Sequence, residues 1–408
     1  MKPLLGIALL GWALALTPSV HAEDTAKPAR AAMAKPRSTL AVGATLDQTG
    51  ALWLARVEQG QILVSRSDDN GARFAPGLPV LARAEAVVAD GESRPQLRVA
   101  RDGTLLLVWT LEVPEKRFAG QIRFARSSDG GKTWTDPITL NDDGRVTSHR
   151  FPALTTNGFG QVVVAWLDAR DRDVAGGKEG GYAGVSIYVA ESSNNGLHFD
   201  DNKRLAEHTC ECCRTALTWG RGGAVAFWRT LFDVNTRDFA LAEVRTRRVS
   251  RAVVDDWKVD ACPHHGGGVA ADADGRLHFV WFTNGAQRQG LFYANRLGDA
   301  TSAPLPLGRL EAQPGHADVA AAGRRVLVVW REFDGERYSI HALRSDNGGA
   351  SFLPPQRLAD TAGAADYPVP LVDADRMLVV WRTANEDLRV LPVAGAVVAG
   401  AARSAVAP

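Results

Sequence analysis

Seven tryptophans punctuate the chain at the ends of seven similar apolar runs: Trp53, Trp109, Trp166, Trp228, Trp281, Trp330 and Trp381. Runs such as Thr104–Val108, Gln161–Ala165 and Arg325–Val329 lead into them, and a Gly or Asp turn stands before most of those runs. A further β-rich run follows most of the tryptophans, as at Gln121–Ala125, Ser186–Ala190 and Tyr338–Ala342. A repeat of roughly fifty residues with three to four antiparallel strands has the size of a propeller blade. A fixed period constrains the fold more than any local propensity, because no single unit can bury both of its faces alone. The chain is therefore expected to be an all-β propeller of four-stranded antiparallel blades, with seven blades favoured and six as the alternative. A closed ring is one domain, placed here at residues 38–403.

The flanks bound the setting. Lys2, the apolar stretch Leu4–Leu16 and the small-residue site Val20-His21-Ala22 read as an export signal over residues 1–22, cut after Ala22. Residues 23–37, dominated by Ala, Lys and Pro, read as a flexible leader. No later stretch has the length and apolarity of a membrane span, so a periplasmic or secreted protein is expected. A net charge of +1 lacks the sustained basic excess that nucleic acid demands, and no such partner is expected.

The turns after the third strands carry a second repeat. Ser127-Ser-Asp129-Gly-Gly131-Lys-Thr133-Trp134 has the form Ser-x-Asp-x-Gly-x-Thr-Trp, and Ser67-Asp-Asp69-Asn-Gly71-Ala-Arg-Phe74 is a close copy. Ser192-Ser-Asn194-Asn-Gly196 and Ser345-Asp-Asn347-Gly-Gly349 put Asn in place of Asp. Side-chain oxygens that bond backbone amides, and a glycine at positive φ, suit such a motif to fixing a tight turn. On these four boxes the chain resembles the sialidase-like, Asp-box (BNR repeat) β-propellers over nearly all of its mature length. In that family the boxes are structural.

Blade topology locates a candidate ligand face. The innermost strand of each unit precedes its Trp strand and forms a hairpin with it, so first-strand starts and second-strand ends share one face, the channel mouth. The starts bring Arg94, His149, Arg150, Cys213, Arg214, Cys262, His264, His265, His316 and Tyr367 there; the ends bring Asp168, Arg170, Arg229, Arg331 and Arg382. A small ligand or a metal ion at this mouth is the expected partner. The family resemblance implies one chemistry for it, an exo-sialidase-type hydrolysis of an acidic sugar. In that reading Arg150, within His149-Arg150-Phe151-Pro152, belongs to an arginine triad gripping the carboxylate, Tyr367 is the nucleophile, and Asp168 or Asp171 is the acid.

All four cysteines fall in two adjacent units, within His208-Thr-Cys210-Glu-Cys212-Cys213-Arg214 and Cys262-Pro-His264-His265. An even count in an exported protein suits two disulfides. Consecutive Cys212 and Cys213 fit that pattern poorly, and thiolates with nearby imidazoles instead suit a soft ion, Cu(I) or Zn(II). The candidate ligands are Cys210, Cys212, Cys213, Cys262, His264 and His265, with His208 alongside. Both readings stay open at this level, and so does a binding protein against an enzyme.

Overall fold

The alternation of apolar runs and turns becomes seven antiparallel sheets in chain order, as seen in a computed structural model that describes residues 39–177 and 179–395. The expected signal segment, the leader and residues 396–403 lie outside the described residues. The architecture is a seven-bladed β-propeller. Blades one, three, four and six are regular four-stranded sheets. In blade two the inner position is split between Val87–Val88 and Gln96–Val99, which both pair with Leu105–Glu112. In blade five the outer position is split between Ala300–Thr301 and Leu305–Leu307. Blade seven has three strands among the described residues, Val369–Val372, Met377–Thr383 and Asp387–Pro392. The first strand among the described residues, Gly43–Leu46, is the innermost strand of blade one.

The Trp runs are the second strands. They are near-continuously apolar because both faces of an inner strand pack on neighbouring blades; every residue of Val162–Asp168 is buried. The core therefore lies between blades. Phe151, Ala165 and Ile187 of blade three meet Leu217, Ala226 and Trp228 of blade four, and Val42, Leu52 and Leu54 of blade one meet Leu371, Leu378 and Val380 of blade seven. Trp109, Trp166, Trp228, Trp281 and Trp381 are almost wholly buried. Each removes about 150–250 Å² from water, an upper estimate of about 4–6 kcal/mol. Carboxylates accept several of the indole N–H groups: Asp47 from Trp53, Asp168 from Trp166 and Asp255 from Trp281 at 2.8 Å, and Glu332 from Trp330 at 2.9 Å.

The four box turns share one hydrogen-bond scheme. Each Ser Oγ accepts from the glycine amide four residues on, at 2.8 Å from Gly71, 2.9 Å from Gly131, 3.0 Å from Gly196 and 2.9 Å from Gly349. Asp69, Asp129, Asn194 and Asn347 each accept from the amide four residues after themselves, at 2.8–3.0 Å. A carboxylate and an amide carbonyl oxygen serve equally as acceptor here, so the Asn copies keep the turn.

The innermost strands pack on one another around the ring, with Gly43–Leu46 touching both Gln96–Val99 and Val369–Val372. They enclose a central cavity of about 340 Å³ lined by residues of all seven blades. A buried polar clasp spans the seam where the first and last blades meet. Arg94 of blade two donates to Asp366 of blade seven at 3.2 Å and to the Val42 carbonyl of blade one at 3.0 Å, while the Val42 amide donates to Asp366 at 3.2 Å. Two inner strands carry a one-residue bulge at the mouth, between Arg150 and Ala153 and between Gly315 and Asp318. Phe151 and His316, at φ 59° and 52°, take up the bulges, which re-aims the side chains beside them.

Candidate functional site

Two loops cross the mouth face side by side. One leads from the outer strand of blade three, Lys203–Thr209, to the inner strand of blade four, Ala216–Gly220, and carries Cys210, Cys212 and Cys213. The other leads from the outer strand of blade four, Arg248–Arg251, to the inner strand of blade five, Gly268–Ala271, and carries Cys262, His264 and His265. Arg237, in the hairpin between them, ties both. Its amide donates to the Trp257 carbonyl at 2.8 Å, its Nε to the Val259 carbonyl at 2.9 Å, and its Nη1 to Cys210 Sγ at 3.2 Å. The first loop is further pinned by the Cys210 amide on the Arg229 carbonyl at 3.1 Å.

The four cysteines are unbridged. The Sγ atoms of Cys210, Cys212 and Cys213 form a triangle with sides of 3.6, 3.7 and 3.9 Å. A disulfide needs about 2.05 Å. Metal–sulfur bonds of about 2.3 Å place sulfurs about 3.8 Å apart at a tetrahedral ion and about 4.0 Å apart at a trigonal one. All three residues are buried, at 0%, 5% and 1% exposure. Cys210 is favoured as thiolate: contacts from the Cys212 and Cys213 thiols, and then the Arg229 and Arg237 charges, outweigh burial and bring its pKa well below the ordinary value. The Cys212 and Cys213 thiols are pushed up, Cys212 chiefly by its neighbour Cys210 and Cys213 chiefly by burial. A second group, Cys212, Cys262 and His264, also has all its ligating atoms within 4.8 Å of one another.

Two histidines of the expected ligand set lie elsewhere. His265 turns inward, away from the sulfurs, and stacks between Phe282 at 4.2 Å and His316 at 4.7 Å between ring centroids. Its neighbour His264 adopts φ 53° and stays exposed, so the two imidazoles diverge. His208 bonds the Ala183 carbonyl at 3.1 Å and packs on Tyr182.

The mouth arginines are engaged with the protein. Arg94 is held by Asp366, and Arg214 by Glu92 at 3.3 Å and the Ala317 carbonyl at 2.8 Å. Arg170 pairs with Asp142 at 2.7 Å and Asp168 at 2.9 Å and lies over Tyr188. Arg229 donates to three carbonyls, of Arg237, His265 and Phe282. Arg150 stands 4.0 Å from Asp90 and over Phe151, and Arg382 pairs with Asp387 at 2.9 Å. Arg331 donates to the Ala365 carbonyl and lies between Tyr338 and Tyr367. His149 is wholly buried, on the Gly120 carbonyl at 2.8 Å and Asp143 at 3.1 Å.

The residues tied to hydrolysis are likewise absorbed. Asp168 is fully buried and accepts from Trp166 and Arg170. Asp171 accepts from Ser186, Tyr188 and Arg204. The Tyr367 ring stacks on His316 at 3.7 Å, and burial, followed by the Glu92 charge, pushes its phenol above the ordinary value. Of the mouth arginines, Arg94, Arg214 and Arg170 are thus paired with Asp366, Glu92 and Asp168.

Sequence reasoning missed Glu92. It sits two residues before Arg94 at an inner-strand start, so the rule that gathered the mouth residues stopped just short of it. Glu92 accepts from the Arg214 amide at 3.1 Å and bonds His316 Nδ1 at 3.2 Å. Burial is the largest single influence and opposes its ionisation, but the Arg214 charge, the His316 contact and the Arg214 amide together outweigh burial and hold the carboxyl down at about 2. Burial lowers His316 to about 4 and His265 to about 3, so both rings are neutral at pH 7. A depressed carboxylate stabilises the fold above its unfolded pKa and loses that contribution as pH falls through the folded one. The depression corresponds to about 3 kcal/mol, lost between about pH 4.5 and 2. Glu92→Gln is expected to flatten that acid limb, read by urea unfolding at pH 7 and pH 3; an unchanged slope would contradict the assignment.

No family model and no curated protein matches the sequence. The fold does match solved structures. An ulvan lyase, described as a new family of polysaccharide lyase, aligns over 88% of this chain and 92% of its own at a TM-score of 0.52 and 11% identity. A second polysaccharide lyase covers 88% and 89% at 0.51 and 9% identity. A Hadza microbial sialidase covers 72% and 64% at 0.47 and 16% identity. The two lyases, with TM-scores above 0.5, share the fold, and identities this low carry no chemistry across. No helix among the described residues is long and apolar enough to cross a membrane.

Proposed function

We propose that this protein is an exported, sialidase-like Asp-box propeller that binds a soft metal ion, Cu(I) or Zn(II), through Cys210, Cys212 and Cys213 at the mouth face. The observation that carries the reading is the sulfur triangle, whose sides of 3.6–3.9 Å match the edges of a thiolate coordination sphere. Charge supports it. Three thiolates around Cu(I) leave two negative charges; Arg237 donates to Cys210 Sγ at 3.2 Å, and the Arg229 charge also favours the Cys210 thiolate. Soft sulfur donors exclude the hard cations on ligand grounds. Cys262 and His264, adjacent through Cys212, extend the donor set.

The test is direct. Protein purified anaerobically under mild reduction should take up one equivalent of Cu(I) or Zn(II), by elemental analysis, with thiols that become inaccessible to a thiol reagent on loading. Freshly isolated protein with all four cysteines oxidised and no metal uptake after reduction would sink the proposal.

A further inference from the structure

The two ligand groups share a single sulfur, and they differ in exposure. Cys210, Cys212 and Cys213 are buried, whereas Cys262 and His264 are exposed. The ligating atoms of Cys262 and His264 cluster with Cys212 alone among the buried three. No single four-coordinate sphere is preformed across both loops, since tetrahedral edges of about 3.8 Å would have gathered them into one group. His264 holds a left-handed conformation, φ 53°, which is unfavourable for a non-glycine residue and persists where the surroundings impose it. That turn splits the adjacent histidines, His265 into the mouth stack and His264 outward beside Cys262.

We propose that Cys262 and His264 form an entry station, and that Cys212 hands the ion inward to Cys210 and Cys213, so that the protein acquires its metal from a donor complex by stepwise ligand exchange. The inference rests on the soft-metal reading above. A donor's ligands can reach the exposed pair and cannot reach sulfurs at 0% and 1% exposure. In the transfer the metal–Cys212 bond persists. Bonds to Cys262 Sγ and the His264 ring nitrogen break, and bonds to Cys210 and Cys213 Sγ form. The Cys213 thiol proton passes to solvent, Cys262 recovers one from solvent, and Cys210, already favoured as thiolate, releases none. No electron moves, so Cu(I) remains Cu(I). The direction inward follows from the donor count and the geometry: two sulfurs and an imidazole nitrogen outside, three sulfurs inside with the Arg237 guanidinium on Cys210 Sγ at 3.2 Å.

The experiment delivers Cu(I) from its bicinchoninate complex to the reduced full chain, follows transfer by stopped-flow loss of the complex's colour, and counts bound ions by native mass spectrometry. Wild type should hold one ion. Cys262→Ser and His264→Ala should slow transfer by about ten-fold or more while leaving equilibrium affinity within about three-fold, because outlying groups steer exchange more than they hold the ion. Cys210→Ser should keep a rapid first phase and lose retention by about a hundred-fold. Both entry residues are exposed, so their variants should fold, which circular dichroism checks. Transfer to Cys262→Ser at the wild-type rate would overturn the entry station. So would an affinity loss equal to that of Cys210→Ser, which would make Cys262 a plain fourth ligand, or two ions held at once. If wild type takes no Cu(I), the underlying metal reading falls with it.

Discussion

Cys213→Ser is expected to abolish stable uptake of the soft ion. The replaced sulfur is one corner of the 3.6–3.9 Å triangle and is 1% exposed, so no other side chain can move into its place. A hydroxyl is a hard, neutral donor; of the buried three only Cys210 and Cys212 would remain, with the exposed Cys262 and His264 beside Cys212. Structural zinc sets are worth about 10–16 kcal/mol, so one of three thiolates carries at least about 3 kcal/mol, or about two decades in Kd. Competition against a chromophoric Cu(I) or Zn(II) chelator measures the loss. A change below about three-fold would show that the triangle does not hold the ion. The metal-free variant should unfold within about 1 kcal/mol of wild type, because Ser and Cys differ little in volume and the Arg237 ties to Trp257 and Val259 are untouched. A variant that fails to fold would be separated from one that fails to bind by this measurement.

The second large effect concerns stability. Arg94→Met is expected to cost about 3–5 kcal/mol at pH 7, because removing one partner of a buried pair leaves the other charged and uncompensated. Asp366 has no side-chain exposure, and Arg94 only 10%. Burial already raises the Asp366 carboxyl above its usual value, against the pull of Arg94, and the variant would raise it further. A carboxyl with a raised folded pKa is favourable to folding below its unfolded value and loses that as pH rises through the folded one. The deficit of the variant should therefore shrink on acidification. Arg94→Met combined with Asp366→Asn should recover part of the loss at neutral pH. Urea unfolding at pH 7 and pH 5 reads all three, and a deficit under about 1 kcal/mol would show that the clasp does not hold the seam.

The fold was legible because its signals are local and repeated. A Trp late in six of the second strands and a Ser-x-Asp/Asn-x-Gly turn after four of the third strands are written within single blades and reappear in three dimensions, whereas Trp53, expected at a strand end, is the second residue of Leu52–Glu58. The irregular strands were not legible: Val87–Val88 is too short to carry a period. The site was half legible. Cys210, Cys212, Cys213 and Cys262 announce themselves by residue type, and two neighbouring units had to set their loops side by side. What holds them did not announce itself. Arg237 is one arginine among many until its donors are seen on both loops, and Glu92 meets Arg214 across 122 residues of chain. Nothing in the sequence shows the left-handed turn at His264 that separates the two adjacent histidines.

The sulfur groups hang entirely on two connections between blades, while the strands of blades four and five beneath them pair in ordinary antiparallel register. Chemistry and architecture are thus separable in this molecule, much as a fitting can be moved between identical sockets. Any propeller with two consecutive crossings of this length could accept the pair of loops with its arginine brace, and the scaffold could lose them and still close its ring.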